Sequence, residues 1–335
     1  MSTSGVPDIL NQARLARLVS ELKSRQTTTS QEAITGRYED VTKAVGGDIG
    51  GVDLISKAVA DAQTYQTNLS LAANRAAITQ SALGSLNEDA TRISTNALGA
   101  LGRGDQLSLK TAAADAKDAL SAIFSRLNTA DGGRYLFGGD VTAQPPIASL
   151  DQLLSDVNGI IAAGPDPASV DAALDTYFND PAGGFATTIY QGGTKDAPSV
   201  EIAPGARVAA SARADAQPIR DLIRGLAVVA NYNALPAGSA VARDTVVLKG
   251  ATTSRAASDS ITDLRGALGV AEARIQAAKD QHAAEETAFT NVLNNKTARD
   301  PFEAAAALQN LESQLQAAYL VTARLSKLSI ADYLD

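Results

Sequence analysis

The single histidine is the first place in this chain to look for chemistry. His282 is followed by Glu285 and Glu286 in the run HAAEE, and an imidazole near two carboxylates could bind a metal ion or transfer protons. The order differs from H-E-x-x-H, which places two histidines on one helix face with a glutamate as the base. We therefore expect a polar layer that fixes helix register, because a polar group in an apolar seam penalises slipped alignments.

The rest of the composition argues against an active site. The chain has no cysteine, which excludes disulfides, thiolate zinc sites and cysteine nucleophiles, and one histidine excludes histidine-rich metal sites. Asp300 and Glu303 stand on either side of Pro301 with the spacing of a helix start, so Asp300 is predicted to cap that helix. We predict that the chain is not an enzyme and has no catalytic, cofactor-binding or metal-binding residues.

Several partners are excluded by charge and motif. The chain has 29 Lys and Arg against 37 Asp and Glu, a net charge of −8, and lacks the basic face of a nucleic-acid binder. No window approaches the roughly 18 apolar residues of a membrane helix, and the N-terminal residues lack a signal-peptide pattern. The glycine-rich run 46–53 lacks the strand and the Lys-Ser/Thr pair of a phosphate-binding loop. We expect that run to be a flexible connector.

The distribution of proline shows which parts of the chain can form long helices. Nine of the eleven prolines lie between Pro145 and Pro236, and proline breaks helix interiors. In the flank before them, apolar or small residues and one threonine keep an unbroken 3,4 spacing. These positions are Ile55, Ala58, Ala62, Tyr65, Leu69, Ala72, Ala76, Thr79, Leu83, Leu86, Ala90, Ile93, Ala97 and Ala100. The repeat is typical of a coiled-coil seam and predicts a helix roughly 70 Å long.

Three more seams keep the same spacing. The helix after the GRGDQ break is predicted to fold back antiparallel on the first, a third long helix lies in the other flank, and a terminal helix follows NNKTARDP. Their seam positions are Leu109, Ala113, Ala116, Leu120, Ile123, Leu127 and Ala130; then Ile261, Leu264, Leu268, Ala271, Ile275, Ala278, His282, Glu285, Phe289 and Val292; and finally Leu308, Leu311, Leu315, Ala318, Thr322, Leu325 and Ser329.

Both ends of the chain carry a short apolar stripe that needs a partner. The N-terminal stripe consists of Leu15, Leu18, Val19 and Leu22. Isolated helices of this size are marginal in water. The stripes either dock on the chain's own bundle or become ordered only in an assembly. The pattern favours neither alternative, and we adopt the assembly as a working hypothesis.

The proline-rich middle predicts a small α+β insertion. Short apolar pieces, TTIYQG and SVEIAPGARV, mix with helical patterns at 150–161 and 219–229. The stretch 240–260 is ambiguous, because its run DTVVLKG fits a strand but could also begin the long helix. The whole is predicted to be mainly α, a long-helix coiled-coil rod with an inserted outer domain. Its segments are 1–45 (inner coiled coil, disordered as a monomer), 46–140 (first part of the rod), 141–215 (outer domain), 216–298 (second part of the rod) and 299–335 (inner coiled-coil helix).

Tyr135, Phe137 and Gly138 are predicted to form an anchor at the junction of rod and outer domain. Tyr135 and Phe137 lie two residues apart before Gly138 and Gly139, which indicates strand alternation followed by a turn. The motif either packs locally at the end of the rod or sets the angle of the outer domain against the next subunit. The first alternative is favoured.

Three stretches of the chain resemble the bacterial flagellin family. They are Glu303–Leu334 (EAAAALQNLESQLQAAYLVTARLSKLSIADYL), Ser30–Arg37 (SQEAITGR) and Gly133–Pro146 (GRYLFGGDVTAQPP). The last is similar to the segment with which hook-filament junction proteins of that family enter their outer domain. One departure follows Gly36, where RYEDVTKAVGGDIGGVD stands in place of the family's Arg-Ile-Asn and paired-Asp signature.

The resemblance implies a structural subunit that joins the flagellar hook to the filament. It implies self-association in a helical tubular assembly, contact with the other hook-associated junction protein and with flagellin, and a cytosolic export chaperone on the C-terminal helix. It also implies export through the flagellar type III apparatus to the extracellular flagellum, with no nucleic acid and no membrane insertion. The alternatives are a minor filament subunit, a soluble coiled-coil scaffolding or signalling protein and, third, an enzyme whose middle segment acts on a glycan. The interface residues implied are Leu15, Leu18, Leu22, Leu308, Leu311, Leu315, Ala318, Thr322 and Leu325.

Overall fold

The structure is a computed structural model that describes the backbone of residues 5–47, 49–234 and 240–334. Side chains are described for the same ranges except 5–12, 43, 234, 240–241 and 325–334. The helices are α1 (Gly5–Thr35), α2 (Val41–Ala44), α3 (Ile49–Arg103), α4 (Gln106–Leu127), α5 (Leu150–Ala163), α6 (Pro167–Asn179), α7 (Gln217–Ala230), α8 (Ala240–Thr297) and α9 (Pro301–Leu334). The strands form two antiparallel hairpins, β1 (Ala130–Asp131) with β2 (Arg134–Tyr135) and β3 (Val200–Ala203) with β4 (Ala206–Val208). The prediction of a mainly-α fold is confirmed.

The chain forms two compact units. Residues 1–63 and 283–335 belong to unit 1, and residues 64–282 belong to unit 2. Helices α3 and α8 contribute residues to both. The five-segment division made from the sequence stays a prediction.

The predicted seam of α3 is confirmed over most of its length. In unit 2 its positions from Leu69 to Ala100 are all buried. Helices α3 and α8 run antiparallel. Hydrogen bonds from residues of increasing number in α3 therefore reach residues of decreasing number in α8. The polar contacts between the two helices in unit 2 include Gln66 to the His282 carbonyl, Gln80 to the Arg265 carbonyl, Asn87 to Ser258 and Thr262, and Thr91 to Ser258.

Helix α4 returns along α3, as its seam predicted. Gly104 turns the chain with φ +64°, and the Asp105 carboxylate caps α4 by accepting from the Leu107 and Ser108 amides. Near the other end of α4, Arg126 donates to Asp89 of α3 at 2.6 Å. The apolar face of α4, from Leu109 to Leu127, is buried in the core of unit 2.

The middle segment differs in detail from its prediction. The run SVEIAPGARV is the β3–β4 hairpin, with Gly205 at φ +75° in the turn. TTIYQG does not form a strand, because Phe185–Ile189 is a π-helical turn that buries both of its end side chains on the core. The ambiguous stretch 240–260 is entirely part of α8.

In unit 1, α1 packs against α9 as an antiparallel pair. Helix α1 continues through the polar stretch SRQTTTSQE and ends at Thr35. The glycine-rich run 46–53 is only partly a connector, because α3 begins at Ile49 and includes Gly50 and Gly51. In the described part of the chain, no helix is long and apolar enough to cross a membrane.

Candidate functional site

The predicted stripe of α9 lies on the side that faces α1. Ala304 and Ala318 are buried, and between them Leu308, Leu311 and Leu315 are half-buried. This spacing reproduces the 3,4 repeat read from the sequence. Thr322 is exposed, and its hydroxyl donates to the Ala318 carbonyl at 2.7 Å. The side chain of Leu325 lies outside the described residues.

The predicted stripe of α1 is only partly turned towards α9. Leu22 is buried, and Leu15 and Val19 are half-buried, so these three occupy the seam. Leu18 is 48% exposed, because the next residue, Val19, takes the seam position. The structure therefore places most of the predicted interface residues against the chain's own partner helix. Their contacts with neighbouring subunits stay a prediction.

A second set of apolar side chains on the α1–α9 pair points into solvent. Phe302 is 87% exposed, Ile34 78% and Leu320 63%. Tyr319 and Val321 are also exposed, and the Lys23 ammonium lies 5.7 Å from the Tyr319 ring centroid. These residues are available for contact with another molecule without opening the pair.

The turn after β2 is fixed in the core of unit 2. Phe137 is fully buried, and its carbonyl accepts from the Ala214 amide at 2.9 Å. The Gly138 carbonyl accepts from the Gly193 amide at 2.8 Å. Tyr135 is half-buried, and its amide donates to Thr142 at 2.9 Å. Phe137 and Gly138 therefore tie the turn to the segment that follows β4 and to the loop around Gly193, and Tyr135 closes the turn on Thr142.

A cluster of charged and hydroxyl groups lies next to this turn. Arg213 donates two hydrogen bonds to Asp215 and one to the Thr194 carbonyl. The paired carboxylate raises the pKa of Arg213, and burial raises the pKa of the Tyr190 phenol. Both groups therefore keep their neutral-pH charge states, and we assign them a structural role in holding the loop.

A cavity of about 250 Å³ opens beside the same turn. It lies between α3, β2 and the segment that carries the β3–β4 hairpin. Its lining includes Arg75, Arg134, Tyr135 and Pro198, and Arg75 forms an ion pair with Asp131 at 3.0 Å. Among the described residues, its lining contains no carboxylate or histidine.

His282 is buried at the end of unit 2. Its Nε2 lies 2.9 Å from the Ile202 carbonyl, and its ring stacks on Tyr65 at 4.6 Å between centroids. The Tyr65 hydroxyl donates to Glu201 at 3.3 Å. The histidine thus connects the α3–α8 pair with the β3 strand, and its role in fixing register stays a prediction. Within the described ranges, no three His, Asp or Glu side chains are grouped as metal ligands.

Sequence reasoning missed Glu32 and Arg299, which form a buried ion pair in unit 1. One signal was present. Glu32 follows Thr29 and Leu22 at heptad-compatible spacing, so it falls on the seam of α1. A carboxylate at a seam position requires a buried cation, because an unpaired buried charge is strongly destabilising.

The comparisons with known proteins support the fold. No protein-family model matches the chain, and no curated protein matches it in sequence. Among solved structures, FlgL from Bacillus cereus is similar with a TM-score of 0.52 at 16% identity, over 72% of this chain and 99% of that one. A protein assigned as a flagellar hook-associated protein of Vibrio parahaemolyticus is similar with a TM-score of 0.50 at 13% identity, over 73% and 95% of the two chains. At these identities the likeness establishes the fold alone.

Proposed function

We propose that this chain is a structural subunit of the bacterial flagellum that joins the hook to the filament, of the hook-associated protein 3 type. The observation that carries the proposal is the agreement of two independent likenesses. The fold is similar to FlgL and to a flagellar hook-associated protein over about three quarters of the chain, and the sequence motifs at both ends and at the 133–146 turn resemble the same family.

The α1–α9 pair provides a surface through which neighbouring subunits could assemble. The seam holds the two helices together, and the outward apolar side chains of Phe302, Leu320 and Leu18 are free for neighbouring subunits. Heterologous contacts that do not close on themselves generate helical arrays. We propose that such contacts, repeated around a tube, connect copies of this chain with one another, with the other junction protein and with flagellin. In this role the protein acts outside the cell and catalyses no reaction.

An export chaperone would use the inner face of α9. Leu308, Leu311 and Leu315 pack towards α1 in the isolated chain, and a chaperone that covers them would have to displace α1. Chaperone binding and α1–α9 pairing are therefore alternatives. The chaperone would also keep an apolar stripe from aggregating before export.

The gene-deletion strain tests the proposed function. We expect cells without the gene to build hooks that carry no filament and to release flagellin into the medium, as electron microscopy and immunoblotting of the medium would record. Filaments still attached to hooks would contradict the junction assignment and favour a minor filament subunit. A purified chain that remains a discrete dimer under assembly conditions would favour the scaffolding alternative.

Complementation of that strain tests the outward face. Phe302→Glu and Leu320→Glu leave the seam intact but place a charge where an interface needs apolar area. Full burial of such a side chain is worth about 1.5–3 kcal/mol, so each variant should weaken a subunit contact by roughly tenfold or more and reduce the number of attached filaments. Leu107→Glu is the matched control, since Leu107 is 76% exposed in the first turn of α4. Equal complementation by all three variants would show that this face is not used.

A further inference from the structure

The cavity beside the 133–142 turn is bounded by three parts of unit 2. Helix α3, the β1–β2 hairpin with the turn that follows it, and the segment that carries the β3–β4 hairpin each form one wall. The volume of the cavity is about 250 Å³, larger than an engineered cavity of about 150 Å³ that binds benzene. The space is therefore large enough for a small organic molecule.

The walls of the cavity are held in place by the core of unit 2. Ala72 of α3 and Leu136 of the turn after β2 are buried. In the third wall, Val200 and Ala210 pack against the small apolar cluster that includes Ala72 and Ile275. The cavity is therefore a fixed feature of the fold, as is usual for small-molecule sites, and a ligand would not have to open it.

Arg75 is oriented in this cavity by a single carboxylate. Its Nε donates to Oδ2 of Asp131 at 3.0 Å, and the two side chains are 31% and 33% exposed. A guanidinium carries five N–H donors, and in the described part of the chain no hydrogen bond involves Nη1 or Nη2 of Arg75. Asp131 thus fixes the guanidinium and leaves its two terminal nitrogens for a ligand.

Arg134 brings a second guanidinium to the lining. It lies directly opposite Asp131 in the β1–β2 hairpin, its side chain is exposed, and no described carboxylate forms an ion pair with it. The two arginines therefore outnumber the one nearby carboxylate that pairs with them, and the lining itself contains none among the described residues. The cavity attracts an anion, although the whole chain has a net charge of −8.

The rest of the lining suits an organic ligand better than a bare ion. The hydroxyl groups of Tyr135, Thr142 and Ser211 add hydrogen-bonding capacity, and no described group bonds to them. A few polar groups in a largely apolar lining are typical of a site that orients a small organic molecule. The apolar lining residues are Ala72, Leu136, Ala197, Pro198, Val200 and Ala210.

We propose that this cavity binds a small organic anion that has a carboxylate at one end and an apolar body. The carboxylate accepts hydrogen bonds from the terminal nitrogens of Arg75 and from Arg134, since a planar guanidinium matches the geometry of a carboxylate. The apolar body replaces water against the apolar lining residues. This inference does not depend on the proposed role at the hook-filament junction.

Isothermal titration calorimetry of the full-length chain tests the site, with hexanoate and phenylbutyrate as probes. We expect both carboxylates to bind one to one. The matching neutral amides, hexanamide and phenylbutyramide, should bind at least roughly tenfold more weakly, because they cannot form charge-assisted hydrogen bonds. The absence of carboxylate binding would overturn the proposal, as would equal binding of the amides. Inorganic phosphate that binds as tightly as the carboxylates would overturn the role of the apolar lining.

Arg134→Gln tests the cationic end of the site. Because the Arg134 side chain is exposed and has no described carboxylate partner, the substitution should leave the melting temperature unchanged and weaken carboxylate binding by roughly tenfold or more. Arg207→Gln is the matched control. Arg207 lies on β4 outside the lining, with a side chain that is 64% exposed, and its loss should not change binding. Equal binding by the two variants would overturn the proposal.

Ala197→Phe tests the location of the ligand. Ala197 is half-buried in the lining, and a phenyl ring there would occupy the space of the apolar body. Carboxylate binding should be lost, while circular dichroism should show a folded protein. Binding that stays at the wild-type level would place the ligand elsewhere and overturn the proposal. If this variant does not fold, the comparison of Arg134→Gln with Arg207→Gln decides the question alone.

Discussion

A single methyl group at Gly138 would collide with the main chain. A Cβ at this position would lie 2.3 Å from the Val141 carbonyl oxygen, and backbone atoms cannot move aside cheaply. We expect Gly138→Ala to lower the free energy of unfolding by about 1–3 kcal/mol, the usual range for overpacking a fixed site. Urea unfolding followed by circular dichroism measures the change.

The control for this substitution is Gly159→Ala in α5. A Cβ at Gly159 has no neighbour within 4 Å, and alanine in a helix interior is favoured over glycine by about 0.5–1 kcal/mol. The control should therefore stabilise the protein slightly. A Gly138→Ala protein as stable as the wild type would mean that the 133–142 turn is not the fixed anchor described above.

Individual side chains were harder to assign from the sequence than the elements that carry them. Leu18 and Val19 are adjacent apolar residues, and a 3,4 repeat can pass through either one. The structure selects Val19, because only that position lies against α9 in register with Leu15 and Leu22. Local pattern carried no information on the partner helix and could not make this choice.

Helix α6 begins with a cap whose strength should depend on pH. The Asp166 carboxylate accepts from the Ala168 and Ser169 amides at 2.9 and 3.0 Å and from the Ser169 hydroxyl at 2.7 Å. These bonds, above all that from the Ser169 hydroxyl, lower the pKa of Asp166 below its ordinary value of 3.8. Because the folded pKa lies below the unfolded one, the stabilisation is present above pH 3.8 and is lost as the pH falls through the folded pKa.

Asp166→Ala should therefore lower the melting temperature at neutral pH and have a smaller effect in acid. Thermal unfolding by circular dichroism, at neutral pH and at a pH well below 3.8, gives both differences. Asp118→Ala, an exposed change inside α4, should show neither difference. A loss that stays the same at both pH values would indicate that the charged form of the carboxylate is not what stabilises the helix start.

The long helices were predictable because one physical rule decides them. Burial of one face of an α-helix requires an apolar residue every three or four positions, and the α3 repeat from Leu69 to Ala100 meets that rule at every position except Thr79. TTIYQG was wrongly predicted as a strand, because a run of six residues is too short to distinguish the two-residue period of a strand from the 3.6-residue period of a helix. The packing of Phe185, just before this run, and of Ile189 within it on the core decided its conformation.

At the scale of the whole molecule, one buried ion pair joins residues that are far apart in the sequence. Glu32 and Arg299 lie near opposite ends of the chain, and no local pattern links them. The resemblance to a known family predicted that the two ends belong together, and the seams predicted which face of α9 would be covered. Their pairing needed the structure, because Glu32 falls on the seam of α1 but Arg299 lies in the link before α9 and has no periodic signature.

Unit 1 should unfold before unit 2 as the urea concentration rises. The described buried apolar residues of unit 1 are Leu22, Val52, Ala62, Ala304 and Ala318, whereas unit 2 has a large core that includes Phe137, Phe178 and Phe185. Stability grows with buried apolar area, so unit 1 should lose amide protection at a lower urea concentration than unit 2. Hydrogen exchange across a urea series measures the order. Simultaneous loss would mean that the units unfold as one.

The hydrogen bonds between α3 and α8 should make that helix pair resistant to sliding along its axis. Five of the ten seam positions of α3 from Leu69 to Ala100 are alanine, and contacts between such small side chains resist a shift of one turn only weakly. The contacts made by Gln66, Gln80, Asn87 and Thr91 stand at unequal intervals, and any displacement along the axis breaks all of them before a new set can form. When a force pulls the two helices past each other, the pair should therefore resist sliding and then yield in one step, because only one alignment satisfies all of the hydrogen bonds.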